Sequence, residues 1–105
     1  MSLLLAVALP ALALAGCAEG SECDDPPAGR GVVTSIEGRD AQVRLPDGEP
    51  MVLHLSAAVF VREAGRCAMT GPEGVRVGDT LAFHVDEVAT SDPPQAWPET
   101  TIVLR

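Results

Sequence analysis

His54 and His84 are the side chains in this sequence best suited to acid–base or metal chemistry. Both fall on the polar phase of an apolar–polar alternation, which places them on the outer face of a predicted sheet. The side chains that could complete a copper or zinc site with them are Met51, Met69 and Asp86. Dedicated metal sites usually contain a closely spaced ligand pair, whereas 30 residues separate the two histidines. We therefore interpret both histidines as surface residues and expect no metal or other cofactor.

The serines and carboxylates form no recognisable catalytic pattern. No serine lies in a Gly-x-Ser-x-Gly context. Asp86 and Glu87 are adjacent on a predicted strand and would point to opposite faces. The other acidic pair, Asp24 and Asp25, lies in a proline-rich segment. The sequence therefore predicts a protein that is not an enzyme.

Cys17 follows a run without charged residues that extends from Leu3 to Gly16. A membrane-spanning helix needs about 20 apolar residues, and this run is shorter and is interrupted by Pro10. Its length and its small final residues are typical of an export signal. The ending Leu14-Ala15-Gly16-Cys17 resembles the lipobox of bacterial lipoprotein signal peptides. That resemblance implies cleavage before Cys17 and attachment of lipid to its thiol.

Residues 1–16 are thus predicted to be a lipoprotein signal peptide, although Met1-Ser2 lacks the basic residue with which such signals usually begin. The protein is expected to be exported and held on the periplasmic side of the cell envelope by acyl chains on Cys17. Ala18, rather than an aspartate, follows that cysteine. In a cell with two membranes this favours the outer membrane.

Cys23 and Cys67 are the two cysteines that remain if Cys17 carries lipid. An oxidising compartment favours a disulfide between them. The alternative is a pair of free thiols or a metal-binding or redox dithiol, but the sequence contains no Cys-x-x-Cys motif. We predict the disulfide.

The charge of the chain limits its partners. All 15 acidic and all 7 basic residues follow Gly16, so the net charge of −8 belongs to the part after the predicted signal. Nucleic-acid binding is excluded on this ground, because it depends on Lys and Arg contacts with phosphates. The expected partners are the membrane, through the acyl chains, and an envelope protein or glycan, and the protein is expected to be a monomer.

The remaining chain divides into two segments. Residues 17–30 are rich in acidic residues, proline and glycine and predict an extended tether. From residue 31 to residue 105 the pattern is β, with turns at Gly38-Arg39-Asp40 and Pro46-Asp47-Gly48-Glu49 and a short helical turn near Pro72 to Val75. The predicted strands cover residues 32–37, 41–45, 51–55, 59–61, 80–88 and 101–104.

This number of short strands predicts an all-β domain with the architecture of a small five- to six-stranded OB-like β-barrel. Such a barrel also leaves few unpaired strand edges in so short a chain. An SH3-like barrel or a small sandwich is the alternative that the order of strands leaves open.

Several short motifs follow one another along this domain: Gly31-x-Val33-x-x-Ile36, Leu45-x-Asp47-Gly48, Val77-Gly78-Asp79, Ser91-x-Pro93-Pro94-Gln95-Ala96 and Thr101-Ile102-Val103. Their succession resembles the YobA-like lipoproteins, a family of small secreted or lipid-anchored bacterial domains without an established function. The resemblance implies an OB-like fold and an envelope location, and it supplies no catalytic residues.

The loop from Ala89 to Glu99 is the candidate ligand-contact element, with Gln95 and Trp97 as its contact residues. Trp97 could stack on a sugar ring or anchor a partner. Because Phe60 and Phe83 are the only other aromatic residues, a buried Trp97 that fills one end of the barrel is the favoured interpretation.

The function predicted from these observations is that of a lipid-anchored binding or accessory module in the cell envelope, with an unknown ligand. The alternative is a periplasmic copper- or zinc-binding lipoprotein that uses His and Met side chains.

Overall fold

The computed structural model describes residues 21–85 and 88–105. These residues contain β-strands and two short 3-10 turns, Ser21–Cys23 and Pro72–Gly74, and no α-helix. The strands are β1 (Gly29–Glu37), β2 (Asp40–Arg44), β3 (Pro50–His54), β4 (Val59–Glu63), β5 (Arg66–Met69), β6 (Thr80–Phe83), β7 (Val88–Ala89), β8 (Gln95–Ala96) and β9 (Thr101–Leu104). The prediction of an all-β chain is confirmed, and so is the helical turn near Pro72.

All nine strands belong to one sheet, in the order β5-β4-β9-β6-β1-β2-β3-β8-β7. β4 and β9 pair in parallel, as do β3 and β8, and the other pairs are antiparallel. Over the described residues β5 and β7 remain the two ends of the sheet, so it is not closed into a barrel. The predicted five or six strands are therefore too few. β5 and β8 lie in segments whose glycine or proline content predicted loops. The strand predicted over residues 80–88 is too long, because β6 ends at Phe83 and Val88 belongs to a separate strand, β7.

The first three strands form the predicted meander. A two-residue loop joins β1 to β2, with Glu37 paired to Asp40 and Gly38 at a φ of 63°. Between β2 and β3 the amide of Leu45 donates to the carbonyl of Glu49, and the amide of Gly48 donates back to Leu45. Both turns confirm the prediction, because glycine accepts the left-handed backbone that tight hairpin loops require.

The main core lies on one face of this sheet. Val33 of β1, Leu53 of β3 and Val103 of β9 are buried in a single hydrophobic cluster, although their strands are well separated in the sheet order. Residues from distant strands can meet in this way only if the sheet curves around the side chains of its inner face. The alternation of buried and exposed residues along β2 and β3 follows from that one-sided burial.

A second, smaller cluster covers the outer face near β6 and β9. Cys23 forms a disulfide with Cys67 of β5, as predicted, and packs with Ala82 and Ile102. β6 and β9 are consequently buried on both faces. The segment predicted as a tether is thus attached to the sheet at Cys23, and β1 begins at Gly29, two residues before the predicted start of the β pattern at residue 31.

Thr101 in β9 is almost fully buried, and its hydroxyl oxygen has no hydrogen-bond partner among the described residues. A buried polar group without a partner costs about 1–3 kcal/mol. We therefore expect Thr101→Val, which keeps the side-chain shape, to raise the free energy of unfolding by roughly 1 kcal/mol in a urea titration. The reverse change on the same strand, Val103→Thr, is the control and is expected to lower the free energy of unfolding. An unchanged or lower stability of Thr101→Val contradicts the prediction.

Candidate functional site

The candidate site lies where the proline-rich loop joins the edge of β3. β8 pairs in parallel with β3, with Val52 opposite Gln95 and Leu53 opposite Ala96. The amide of Val52 also donates to the carbonyl of Pro94 at 2.9 Å. Ala96 is completely buried against the core and fixes the loop in place. This pairing brings Gln95 and the residue after β8, Trp97, beside His54 at the end of β3.

His54 is held by contacts on both of its ring nitrogens. Asp40 lies directly opposite it on β2, and the Asp40 carboxylate oxygen Oδ1 is 2.8 Å from His54 Nδ1. The amide oxygen Oε1 of Gln95 is 2.6 Å from His54 Nε2. Three strands, β2, β3 and β8, therefore determine the position of one imidazole ring.

Trp97 stacks on this fixed imidazole. The two ring centroids are 4.8 Å apart and the ring planes differ by 14°. The Trp97 side chain is nevertheless 59% exposed. Because the imidazole covers one face of the indole, the exposed area belongs to the other face and the ring edges. We term the surface formed by Trp97, His54, Asp40 and Gln95 the Trp97 platform.

The surroundings of His54 favour its protonated form. The hydrogen bond to Gln95 raises the pKa of His54 most, partial burial lowers it, and the hydrogen bond and charge of Asp40 raise it, so that the pKa lies above its ordinary value of 6.5. Both partner atoms are acceptors, and only the imidazolium carries a proton on each nitrogen. When His54 is protonated, the stack therefore places an imidazolium against the π face of an indole, a geometry in which the ring attracts the charge.

The platform does not resemble a hydrolytic site. A general base needs a free nitrogen that faces a nucleophile or a substrate proton. In His54 the second nitrogen faces Gln95 instead. The nearby Ser56 hydroxyl donates to the carbonyl of Glu99 at 2.6 Å and accepts from the amide of Ala58, so it connects two loops. The arrangement can present an aromatic ring and polar groups to a ligand.

The structure separates the two histidines that the sequence analysis considered together. His84 directly follows β6 and, with Met51 and Phe83, lines an open groove of about 570 Å³. β1 and β2 lie between β6 and β3 in the sheet. Met69 is exposed on the edge strand β5. In the part of the chain that the structure describes, no three His, Cys, Asp or Glu side chains are grouped for a metal ion.

The interpretation of Trp97 as a buried plug is wrong. The core is filled by aliphatic side chains together with Phe83, and Trp97 lies outside it. Gln95 lies beside Trp97, and both belong to the loop that was predicted to contact a ligand.

Sequence reasoning missed Asp40, which it assigned to a turn and which instead begins β2. Cys17, the predicted lipid-attachment residue, and Asp86, a considered metal ligand, lie outside the described residues.

Comparisons with known protein families, with curated proteins and with solved structures found no match to this chain. Within residues 21–85 and 88–105 no helix is long and apolar enough to cross a membrane.

The protonation of His54 predicts a pH-dependent fluorescence. Trp97 is the only tryptophan, and the chain contains no tyrosine, so the emission reports on this stack alone. A protonated imidazole in contact quenches an indole, and we therefore expect the emission to rise with pH, with a midpoint above 6.5. Since the folded-state pKa is raised, the stability that His54 contributes is present below pH 6.5 and is lost as the pH rises through the folded-state pKa.

Asp40→Asn removes the negative charge beside His54, and Gln95→Ala removes an acceptor of its hydrogen bond, so each should move this midpoint downward. His54→Gln is the control and should give an emission that does not change with pH in the same range. An equal rise in the control contradicts the assignment of the quencher.

Proposed function

We propose that this chain is a lipid-anchored binding module of the cell envelope that contacts its ligand through the Trp97 platform and catalyses no reaction. The observation that carries the proposal is the exposed indole of Trp97, held flat against an imidazole that is itself fixed at both nitrogens. An exposed and rigid aromatic ring is a typical contact residue at binding surfaces. Holding it before a ligand arrives reduces the entropy lost on binding.

The proposed architecture behind this surface is an OB-like, partly open barrel. Its support is the β1-β2-β3 meander, the antiparallel pairing of β1 with β6 and of β6 with β9, and the parallel pairing of β4 with β9. Only four residues separate β3 from β4, although the two strands lie toward opposite ends of the sheet order. OB-like domains commonly bind ligands through a sheet face and the adjacent loops. The resemblance to the YobA-like lipoproteins is consistent with this proposal and stays a prediction.

The proposed location rests on the lipobox-like ending at Cys17 and is supported by the disulfide. Disulfides persist in exported proteins and are rare in the cytosol, and the Cys23–Cys67 bridge is formed in this structure. Labelled palmitate fed to cells that express the full chain is expected to label the protein. Cys17→Ser is expected to lose the label, whereas Cys23→Ser, a matched change of the next cysteine, should keep it. Label retained by Cys17→Ser contradicts the anchor.

Binding by the platform can be tested without the anchor. In a Cys17→Ser background, the purified protein is mixed with washed cell envelopes of the source cell and sedimented. We expect the protein to sediment with the envelopes and expect Trp97→Ala to reduce the bound fraction at least about fivefold, the loss of roughly 1 kcal/mol of aromatic contact. Met69→Ala, which removes a side chain of similar exposure on the edge strand β5, is the control and should bind like the parent. Equal sedimentation of the two variants contradicts the proposed surface.

A further inference from the structure

We infer that the ligand of the Trp97 platform is an uncharged glycan, whose sugar ring lies on the open face of the Trp97 indole. This inference rests on the proposed function and names the class of ligand for the same surface. The charges around the indole, the polar atoms beside His54 and the shape of the surface support it.

The charges argue against an ionic ligand. The chain has a net charge of −8, which disfavours an anion. A cation is disfavoured at the indole when His54 is protonated, because the imidazolium then lies against the first face of that ring. A second positive charge on the opposite face would be repelled by the first across the thickness of one ring. A neutral ligand is repelled neither by the net negative charge of the chain nor by a charged imidazole.

The polar atoms match hydroxyl groups. Asp40 uses one carboxylate oxygen for His54 and is half exposed, so its other oxygen can accept a hydrogen bond from a ligand. Gln95 uses its amide oxygen for His54, which leaves its NH₂ group as a donor. One acceptor and one donor thus flank the imidazole on which the indole stacks, and a glycan that extends beyond the edge of the indole can contact them. A sugar has the complementary form, with an apolar C–H face and hydroxyl groups around it that both donate and accept.

The shape favours a ring that lies across the surface. Ala96 and Pro98 on either side of Trp97 are buried, so the indole is the raised part of this segment. An open, flat ring offers contact area to another flat face more readily than to a branched aliphatic side chain, which binds best in a pocket. The geometry therefore favours a glycan over a protein partner.

The test uses two soluble hexasaccharides with the same ring and linkage, chitohexaose, which is uncharged, and its deacetylated form, which is cationic. Each is titrated with the Cys17→Ser protein and followed by saturation-transfer NMR of the sugar protons. We expect chitohexaose to bind, with the ring C–H protons receiving the strongest transfer. Trp97→Ala should weaken this binding at least about fivefold, Trp97→Phe should restore part of it, and Met69→Ala should leave it unchanged.

The contrary outcomes are distinct from a failure of the proposed function. Binding of the cationic sugar alone overturns the neutral class in favour of a charge-driven site. If neither sugar binds while Trp97-dependent sedimentation with envelopes persists and is abolished by proteinase treatment of the envelopes, the ligand is a protein and the inference is wrong. If sedimentation itself does not depend on Trp97, the proposed function fails together with the inference. Circular dichroism of Trp97→Ala and Trp97→Phe verifies that both variants are folded.

Discussion

Replacement of both Cys23 and Cys67 by serine is expected to lower the free energy of unfolding by about 4 kcal/mol. The bridge joins residues that are 44 positions apart and so restricts a large part of the unfolded chain. For a domain of this size the loss corresponds to a fall in Tm of roughly 15–30 °C. It is a large fraction of the 5–15 kcal/mol that usually separates folded from unfolded states.

The folded state also loses packing when the bridge is removed. Cys23 is 2% exposed and covers Ala82 and Ile102 on the outer face of the sheet. When the bridge is absent, the segment that carries Cys23 is free to leave this face and expose apolar surface. We therefore expect the m-value of the variant to differ from that of the parent, because less surface is buried in its folded state.

Calorimetry in the Cys17→Ser background measures the effect without interference from the third thiol. The parent in reductant should fall to the Tm of the double serine variant, and reductant should leave that variant unchanged. A parent that keeps its Tm after complete reduction, verified by alkylation and mass spectrometry, contradicts the prediction.

Leu53→Ala is expected to lower the free energy of unfolding by about 3–5 kcal/mol. Leu53 is completely buried, and its partners on both neighbouring strands, Ala41 and Ala96, are alanines that are also completely buried. Such short side chains cannot extend into the space that the leucine leaves, so most of the cavity should persist. The change should also weaken the attachment of β8, and with it the position of Trp97.

Val52→Ala is the matched control, because the residue lies next to Leu53 on the same strand but faces the other side and is half-buried. It should cost less than about 1.5 kcal/mol in the same urea titration. If Val52→Ala and Leu53→Ala lower the free energy of unfolding equally within error, the two faces of β3 do not differ in burial as described.

Local patterns predicted the strands that alternate over one buried face and missed those that depend on tertiary pairing. β1, β2 and β3 are joined by loops with well-known turn residues, and their positions followed from alternation. The β4–β5 hairpin turns at Ala64-Gly65, where both residues have positive φ. Alanine rarely adopts this backbone, so Ala64-Gly65 is not one of the residue pairs that predict a tight hairpin. β7 and β8 contain two residues each and form because the edge of β3 is available.

The platform was partly predictable. Gln95 and Trp97 were named as the candidate contact residues of one loop, and the placement of His54 on the outer face was also expected. The partnership of Asp40 with His54 could have been found from the length of the β2–β3 loop, since it fixes the register of the hairpin. Trp97 was assigned to the core on composition alone, whereas the alternation of Ala96, Trp97 and Pro98 places it on the opposite side from two small buried residues.

The disulfide also limits how far the domain could lie from a membrane to which Cys17 is anchored. If Cys17 is acylated as we propose, the connection between lipid and domain is the seven-residue stretch from Cys17 to Cys23, not the fourteen residues of the whole acidic segment. The six residue-to-residue steps of this stretch span at most about 20 Å when fully extended. A ligand attached to or lying close to the same bilayer is then encountered at a high effective concentration, so even a weak contact at one aromatic ring can keep it engaged. The domain cannot reach a ligand whose distance from the bilayer exceeds the combined length of this connection and the domain.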